Sequence, residues 1–206
     1  MKRALTFQNI LDAKILTFDF TGEWFEAFGQ PQRAGVWFIY GDSGHGKTTF
    51  LLMLMRELAK FDKILFLPYE EGEVNKLLQK AIERLGLTAI NNRVIVSNET
   101  IKEMETRLEK RNSPNIAIID SLNVSGIKNV KQVSRLREKF PHKTFIYTGW
   151  AEGKLPKGNI GKDVLFYANQ KIFIEGYRAF SRGRSFGIKQ YFTIWEEEAK
   201  KYFEYK

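Results

Sequence analysis

The stretch WFIYGDSGHGKTTFLLML, from Trp37 to Leu54, constrains this chain more than any other. An apolar strand runs into the pattern G-x-x-x-x-G-K-[ST], with Gly41, Gly46, Lys47 and Thr48 at its fixed places, and an apolar helix follows. That strand–loop–helix order is the setting in which the pattern cradles a triphosphate. Glycines let successive backbone N–H groups turn inward as an anion nest, and the helix aims its positive end at the same point. Asp42, Ser43, Gly44 and His45 fill the loop, so the candidate phosphate-binding set is Gly41 to Thr49. Lys47 would reach the β- and γ-phosphates, and the Thr48 hydroxyl would ligate Mg²⁺. Thr49 adds a contact at the α-phosphate side. His45 holds a variable place and is expected to face solvent. A glycine-rich turn that merely caps a helix is the plain alternative, and it leaves Lys47 unexplained.

Around this stretch, short apolar runs alternate with helical patterns. Val36 to Tyr40 reads as a strand apolar throughout, as in a parallel strand covered on both faces. Lys63 to Leu67, Val94 to Val96, Asn115 to Ile119 and Thr144 to Thr148 read as further strands. Val74, Leu77, Leu78, Ala81, Ile82 and Leu85 recur at helical spacing, closed by Gly86. Thr100 and Glu103 form a capping box for the next helix. Such alternation predicts βαβ units, hence an α/β fold of three layers around a mostly parallel sheet. After Trp150 the pattern changes. A loop rich in Gly and Lys precedes two more strands, Lys171 to Glu175 and Tyr191 to Trp195, and the charged amphipathic stretch EEEAKKYFEYK.

Composition narrows the partners. The 206 residues, 43% of them hydrophobic, suffice for the core of one domain. Cysteine is absent, which excludes disulfides and cysteine metal sites and fits a reducing interior. No apolar run reaches the roughly 18 residues of a membrane span. The opening MKRALTFQNILDAKIL lacks the apolar core and cleavage site of a signal peptide. The expectation is a cytoplasmic protein without a membrane partner. A net charge of +9 favours a polyanionic partner, of which nucleic acid is the commonest.

A phosphate cradle alone hydrolyses nothing; it needs an acid that holds magnesium and a group that positions water. In NIAIIDS, Asp120 ends an apolar strand, where a magnesium-ordering aspartate would sit. A turn aspartate is the alternative. In LFLPYEEG, Glu70 and Glu71 lie just beyond a strand, at the carboxyl edge where open α/β sheets bind ligands. Either could act as general base for water; a solvated acidic loop is the alternative.

Together these segments resemble the RecA-like ATPases, the family of bacterial recombinases, RadA-type repair ATPases, replicative helicases and circadian-clock ATPases. The resemblance runs from about Phe28 to Trp195. FGQPQRAGVWFIYGDSGHGKTT is similar to the family's lead-in and Walker A, Glu70 with Glu71 behind it to its catalytic glutamate, and IAIIDS to its Walker B. It implies ATP and Mg²⁺ as cofactors and Mg-dependent ATP hydrolysis. It also implies one RecA-like domain over residues 1–206, with lead-in 1–34, core 35–195 and charged tail 196–206. The strand ending at Thr148 would lie between the P-loop and Walker-B strands. In the family that central strand is tipped by a Gln or His that senses the γ-phosphate. This chain has Trp150 there, which cannot accept a hydrogen bond and donates only one. SRGRSFG resembles the segment whose basic residues reach a neighbour's γ-phosphate, with Arg182 and Arg184 matching. The resemblance then implies a homo-oligomer, ring or filament, with ATP sites between subunits. A basic hairpin that touches nucleic acid or only solvent is the open alternative.

Two loops would face DNA by the same resemblance, Leu122 to Lys131 and Ala151 to Lys162. The second carries Lys154, Lys157 and Lys162 among glycines, a composition suited to backbone phosphates without base reading. The expected function is an ATPase that binds DNA, single-stranded by preference, in recombination, repair or replication. The minimal size would suit a phage-type recombination protein. The rivals are a nucleotide-switched regulatory or scaffold protein with little turnover, and a small-molecule kinase.

Overall fold

The computed structural model describes residues 4–204. Met1–Arg3 of the lead-in and Tyr205–Lys206 of the tail lie outside the described residues.

The lead-in holds α1 (Phe7–Leu11) and α2 (Gly22–Phe28). The first half of the core comprises β1 (Gly35–Gly41), α3 (Lys47–Leu58), β2 (Ile64–Pro68), α4 (Lys76–Arg84), β3 (Val94–Val96) and α5 (Ile101–Leu108). Then come β4 (Ile116–Asp120), α6 (Val130–Lys139), β5 (Thr144–Glu152), β6 (Leu155–Pro156) and α7 (Gly158–Tyr167). β7 (Gln170–Glu175), β8 (Arg178–Ser181), β9 (Tyr191–Thr193) and α8 (Glu196–Glu204) close the described chain.

The strands build one sheet in the order β3-β2-β4-β5-β1-β7-β8-β9, with β6 folded back on β5. From β3 to β7 every neighbouring pair is parallel, and β8 and β9 add an antiparallel edge. β5 lies between β4 and β1, the central place expected for it.

Strand periodicity divides the core into two layers, because alternate side chains leave opposite faces of a sheet. Trp37 and Ile39 of β1 join Phe50, Leu51 and Leu54 of α3 on one face. Val36, Phe38 and Tyr40 join Met104, Val133 and Val164, from α5, α6 and α7, on the other. The α/β/α sandwich is thus written in the apolar runs, which are buried on both sides.

The aromatic part of the lead-in packs as expected. Phe18 and Phe20 are buried, and the α2 residue Trp24 stacks on Phe192 of β9 at 4.3 Å between ring centroids. By contrast α1 buries nothing, although Thr6 caps it. The charged stretch forms α8, docked through the buried Ala199.

One expectation is corrected. Ala151 to Lys162, read as an open loop, is instead the end of β5, a turn into β6 and the start of α7. Ala151 pairs with Pro156 and Glu152 with Leu155, while Gly153 takes the positive φ of 62° that the tight turn requires. Gly161 packs so closely that a Cβ there would stand 2.9 Å from Pro156 Cβ. The glycines that suggested a loop are packing and turn residues.

Candidate active site

The site sits at the carboxyl ends of β1, β2, β4 and β5. β1 leads into the glycine loop, where Gly44 and Gly46 have φ of 79° and 92°. Gly41 serves differently. It is held beside β7, and a Cβ there would lie 2.6 Å from the Ile174 carbonyl oxygen. α3 starts after Gly46 with no side-chain cap, so its first-turn N–H groups are left for an anion.

These elements wall a cavity of about 580 Å³. Ser43, Gly44, Lys47, Thr48 and Thr49 line one side, and Glu70 and Glu71 line the end beside β2. Asp42 also reaches the cavity wall, its Oδ1 accepting the Ser43 N–H at 2.9 Å.

Asp120 ends β4 and is buried. Burial pushes its carboxyl up from 3.8 to about 6, and the nearby Glu70 and Glu71 push the same way. Lys47 and a hydrogen bond donated by the Thr148 hydroxyl oppose the rise. The Asp120–Ser121 peptide bond is cis. Glu70 is tied through its backbone, its N–H donating to the Asp120 carbonyl at 3.0 Å. Its carboxylate receives the Trp150 indole N–H, at 3.0 Å to one oxygen and 2.9 Å to the other. The residue at the sensor place therefore faces the candidate base.

Among the described residues no cluster of three or more His, Cys, Asp or Glu could cage a metal. Mg²⁺ takes one or two carboxylates and completes its shell with substrate phosphates and water. Thr48 and the single buried Asp120 are suitable donors.

Sequence reasoning missed three features. Thr148 faces Asp120, as the β4–β5 register dictates once Ile119 is paired with Tyr147. Arg84, in the last turn of α4, lines the cavity and donates to the Thr49 hydroxyl at 3.3 Å; its only signal was a basic residue at a helix end. Tyr177, Ile194 and Trp195 line the end away from Glu70. Tyr177 and Trp195 meet edge-on at 5.9 Å, an aromatic wall of the kind a nucleobase stacks against.

Other expected residues lie elsewhere. His45 does not face solvent. Its Nδ1 accepts the Gly176 N–H at 2.9 Å, and its ring meets Tyr202 edge-on, so it pins the glycine loop to the β7–β8 turn. Its side chain is not part of the cavity lining. Arg182 lies over the sheet face opposite α3, its guanidinium 4.3 Å from the Phe173 ring centroid and donating to the Tyr40 hydroxyl at 3.1 Å. Arg184 is exposed. Neither arginine lines the cavity of its own chain. Lys154, Lys157 and Lys162 are exposed on the β5–β6 turn and α7.

No protein-family model matches the sequence, and no curated protein matches it. Solved structures do. A KaiC-like protein from the hyperthermophilic archaeon Pyrococcus horikoshii is similar over 87% of this chain and 98% of its own, with a TM-score of 0.57 and 14% identity. The flagellar accessory protein FlaH from Methanocaldococcus jannaschii is similar over 86% of this chain and 90% of its own, with a TM-score of 0.59 and 13% identity. At such identity the likeness is one of fold: a RecA-like core with a mostly parallel sheet. Among the described residues no helix is long and apolar enough to cross a membrane.

Proposed function

We propose that this chain is a RecA-like, magnesium-dependent ATPase that works as a homo-oligomer on DNA, with single strands preferred. The observation that carries the reading is a cavity lined by Lys47, Thr48 and Glu70 and edged by uncapped helix N–H groups, with the buried Asp120 carboxyl behind its wall, near enough to feel the charges of Lys47 and Glu70. Lys47 and the α3 amides hold the β- and γ-phosphates. Thr48 and Asp120 hold Mg²⁺, which when bound neutralises charge on the phosphate oxygens. Glu70 orients and deprotonates the attacking water, with Glu71 beside it. Tyr177 and Trp195 receive the base, and Arg84 stands by the α-phosphate.

Arg182 and Arg184 complete the site of a neighbouring subunit. Their place outside their own cavity supports this, and so does the resemblance of SRGRSFG to a segment that acts in trans. DNA phosphates would meet Lys154, Lys157 and Lys162, and the charge of +9 supports such a partner. Recombination, repair or replication would be the setting.

The experiment is ATPase rate against protein concentration, with and without single-stranded DNA, beside a Lys47→Ala control. Expected are a specific rate that rises with concentration and with DNA, and a control without activity. A wild-type rate equal to that control would overturn the reading.

A second reading is a nucleotide-switched scaffold with little turnover. Its support is the exposed apolar face of Leu5, Phe7, Ile10 and Leu11, which suits a protein partner. Equal, near-zero rates for wild type and Glu70→Gln, with ATP still bound, would favour it.

A further inference from the structure

We propose that Trp150 is a positioning residue for Glu70, its indole N–H holding the carboxylate at the cavity end. The proposal rests on the reading of Glu70 as the water-activating base.

Glu70 stands in the exposed turn after β2. Its backbone is fixed, but an exposed glutamate side chain samples many rotamers unless something holds it. Among the described residues the one side chain that hydrogen-bonds to its carboxylate is Trp150, and it reaches both oxygens. The sheet explains what the side chain must cross. β4 lies between β2 and β5, so the ends of β2 and β5 stand roughly 9–10 Å apart at ordinary strand spacing. β4 stops at Asp120 while β5 runs on to Glu152. The indole therefore passes over the end of β4 to meet Glu70. A single N–H leaves the carboxylate further lone pairs with which to accept from water.

The indole is itself held from two sides. Its backbone N–H donates to Asn123 Oδ1 at 3.0 Å, in the loop after β4. Its carbonyl accepts the Lys157 N–H at 2.8 Å, and the Lys157 ammonium stands 5.8 Å from the ring centroid. Lys157 immediately precedes α7 and follows the turn that carries Lys154. A shift of Glu70 toward water on a γ-phosphate changes the bond to Trp150 and with it the surroundings of the indole.

The test compares Trp150→Phe, which removes the N–H and keeps an aromatic ring, with Trp150→His, which keeps a ring N–H. Trp150→Phe is expected to lower kcat roughly tenfold to a hundredfold, the scale of a misplaced catalytic group, with KM for ATP changed little. Trp150→His should recover part of the loss. In a Glu70→Gln background Trp150→Phe should cost nothing more. A wild-type kcat in Trp150→Phe would overturn the proposal; so would equal losses in both variants that track a fall in Tm.

Fluorescence supplies a readout that does not need turnover. A non-hydrolysable ATP analogue should change tryptophan emission beyond what ADP does. That γ-phosphate-specific part should vanish in Trp150→Phe and in Glu70→Ala. Trp195, at the base end of the cavity, should respond to both nucleotides alike. A γ-specific change that survives in Trp150→Phe would overturn the link. If wild type and Lys47→Ala are equally inactive while the emission change follows Trp150, the hydrolysis reading fails and the link stands.

Discussion

Asp120→Asn should stabilise the metal-free protein while abolishing hydrolysis. Asp120 is buried, and its carboxyl titrates at about 6 instead of 3.8. The folded state thus disfavours the ionised form. Below about pH 3 the group is neutral in both states and costs nothing. Stability is lost as pH rises toward 6, because the unfolded chain ionises first, and the loss is constant above that. Linkage with these two values gives about 1 kcal/mol at about pH 4.5 and about 3 kcal/mol at about pH 7.5. Asparagine removes the charge, keeps the size and still accepts from the Thr148 hydroxyl. Its new amide N–H group must find a partner, which costs about 1 kcal/mol if it does not. The net gain is then about 2 kcal/mol at about pH 7.5 and near zero at about pH 4.5. For a chain of this length that is a rise in Tm of roughly 4–8 °C. Thermal unfolding with chelator and no nucleotide, at both pH values, reads it directly. A variant no more stable than wild type at the higher pH refutes the reasoning. So does a gap of the same size at both. Adding Mg²⁺ and ATP should raise the Tm of wild type more than that of the variant.

Gly41→Ala should unfold the site by steric clash, since its Cβ would meet the Ile174 carbonyl oxygen at 2.6 Å; a loss of more than about 2 kcal/mol in denaturant melts is expected, and wild-type stability would contradict it. Arg84→Ala should raise KM for ATP several-fold with kcat nearly unchanged, because the hydrogen bond Arg84 makes in the cavity is to Thr49 and not to Glu70; a fall in kcat alone would place it elsewhere in the cycle. Replacing Lys154, Lys157 and Lys162 by Gln should weaken single-stranded DNA binding and lower the slope of log affinity against log salt by up to about 2. An unchanged slope would move the DNA contact off this surface.

The fold was legible where burial on both faces writes itself as an apolar run. β1, β2 and β4 were found within a residue or two, and the glycine loop with them. Glycine misled elsewhere, because its two uses look alike in a sequence. Gly149 reads as a strand end, yet it lies where a Cβ would stand 2.7 Å from the Phe38 ring, and β5 runs on past it. Gly158 and Gly161 hide α7, although Ile160, Val164 and Leu165 keep helical spacing. His45 was misplaced because its partner, the Gly176 amide, is 131 residues away.

Trp150 differs from the residues of the resembled segment in what it cannot do. A Gln or His accepts and donates, and at the tip of β5 the resemblance has such a residue read a phosphate. An indole only donates, so the question is which acceptor lies within its reach. Strand order answers it. With β4 ending at Asp120, the next acceptor beyond it is Glu70, 80 residues earlier in the chain. The departure from the family pattern and the hold on Glu70 are therefore one fact. If the indole N–H is what matters, Trp150→Gln should behave like Trp150→His in the kcat assay, since both keep a donor. If a rigid ring is needed to hold that donor over the end of β4, Trp150→Gln should fall with Trp150→Phe, because its flexible amide reaches as far but is held in no one rotamer.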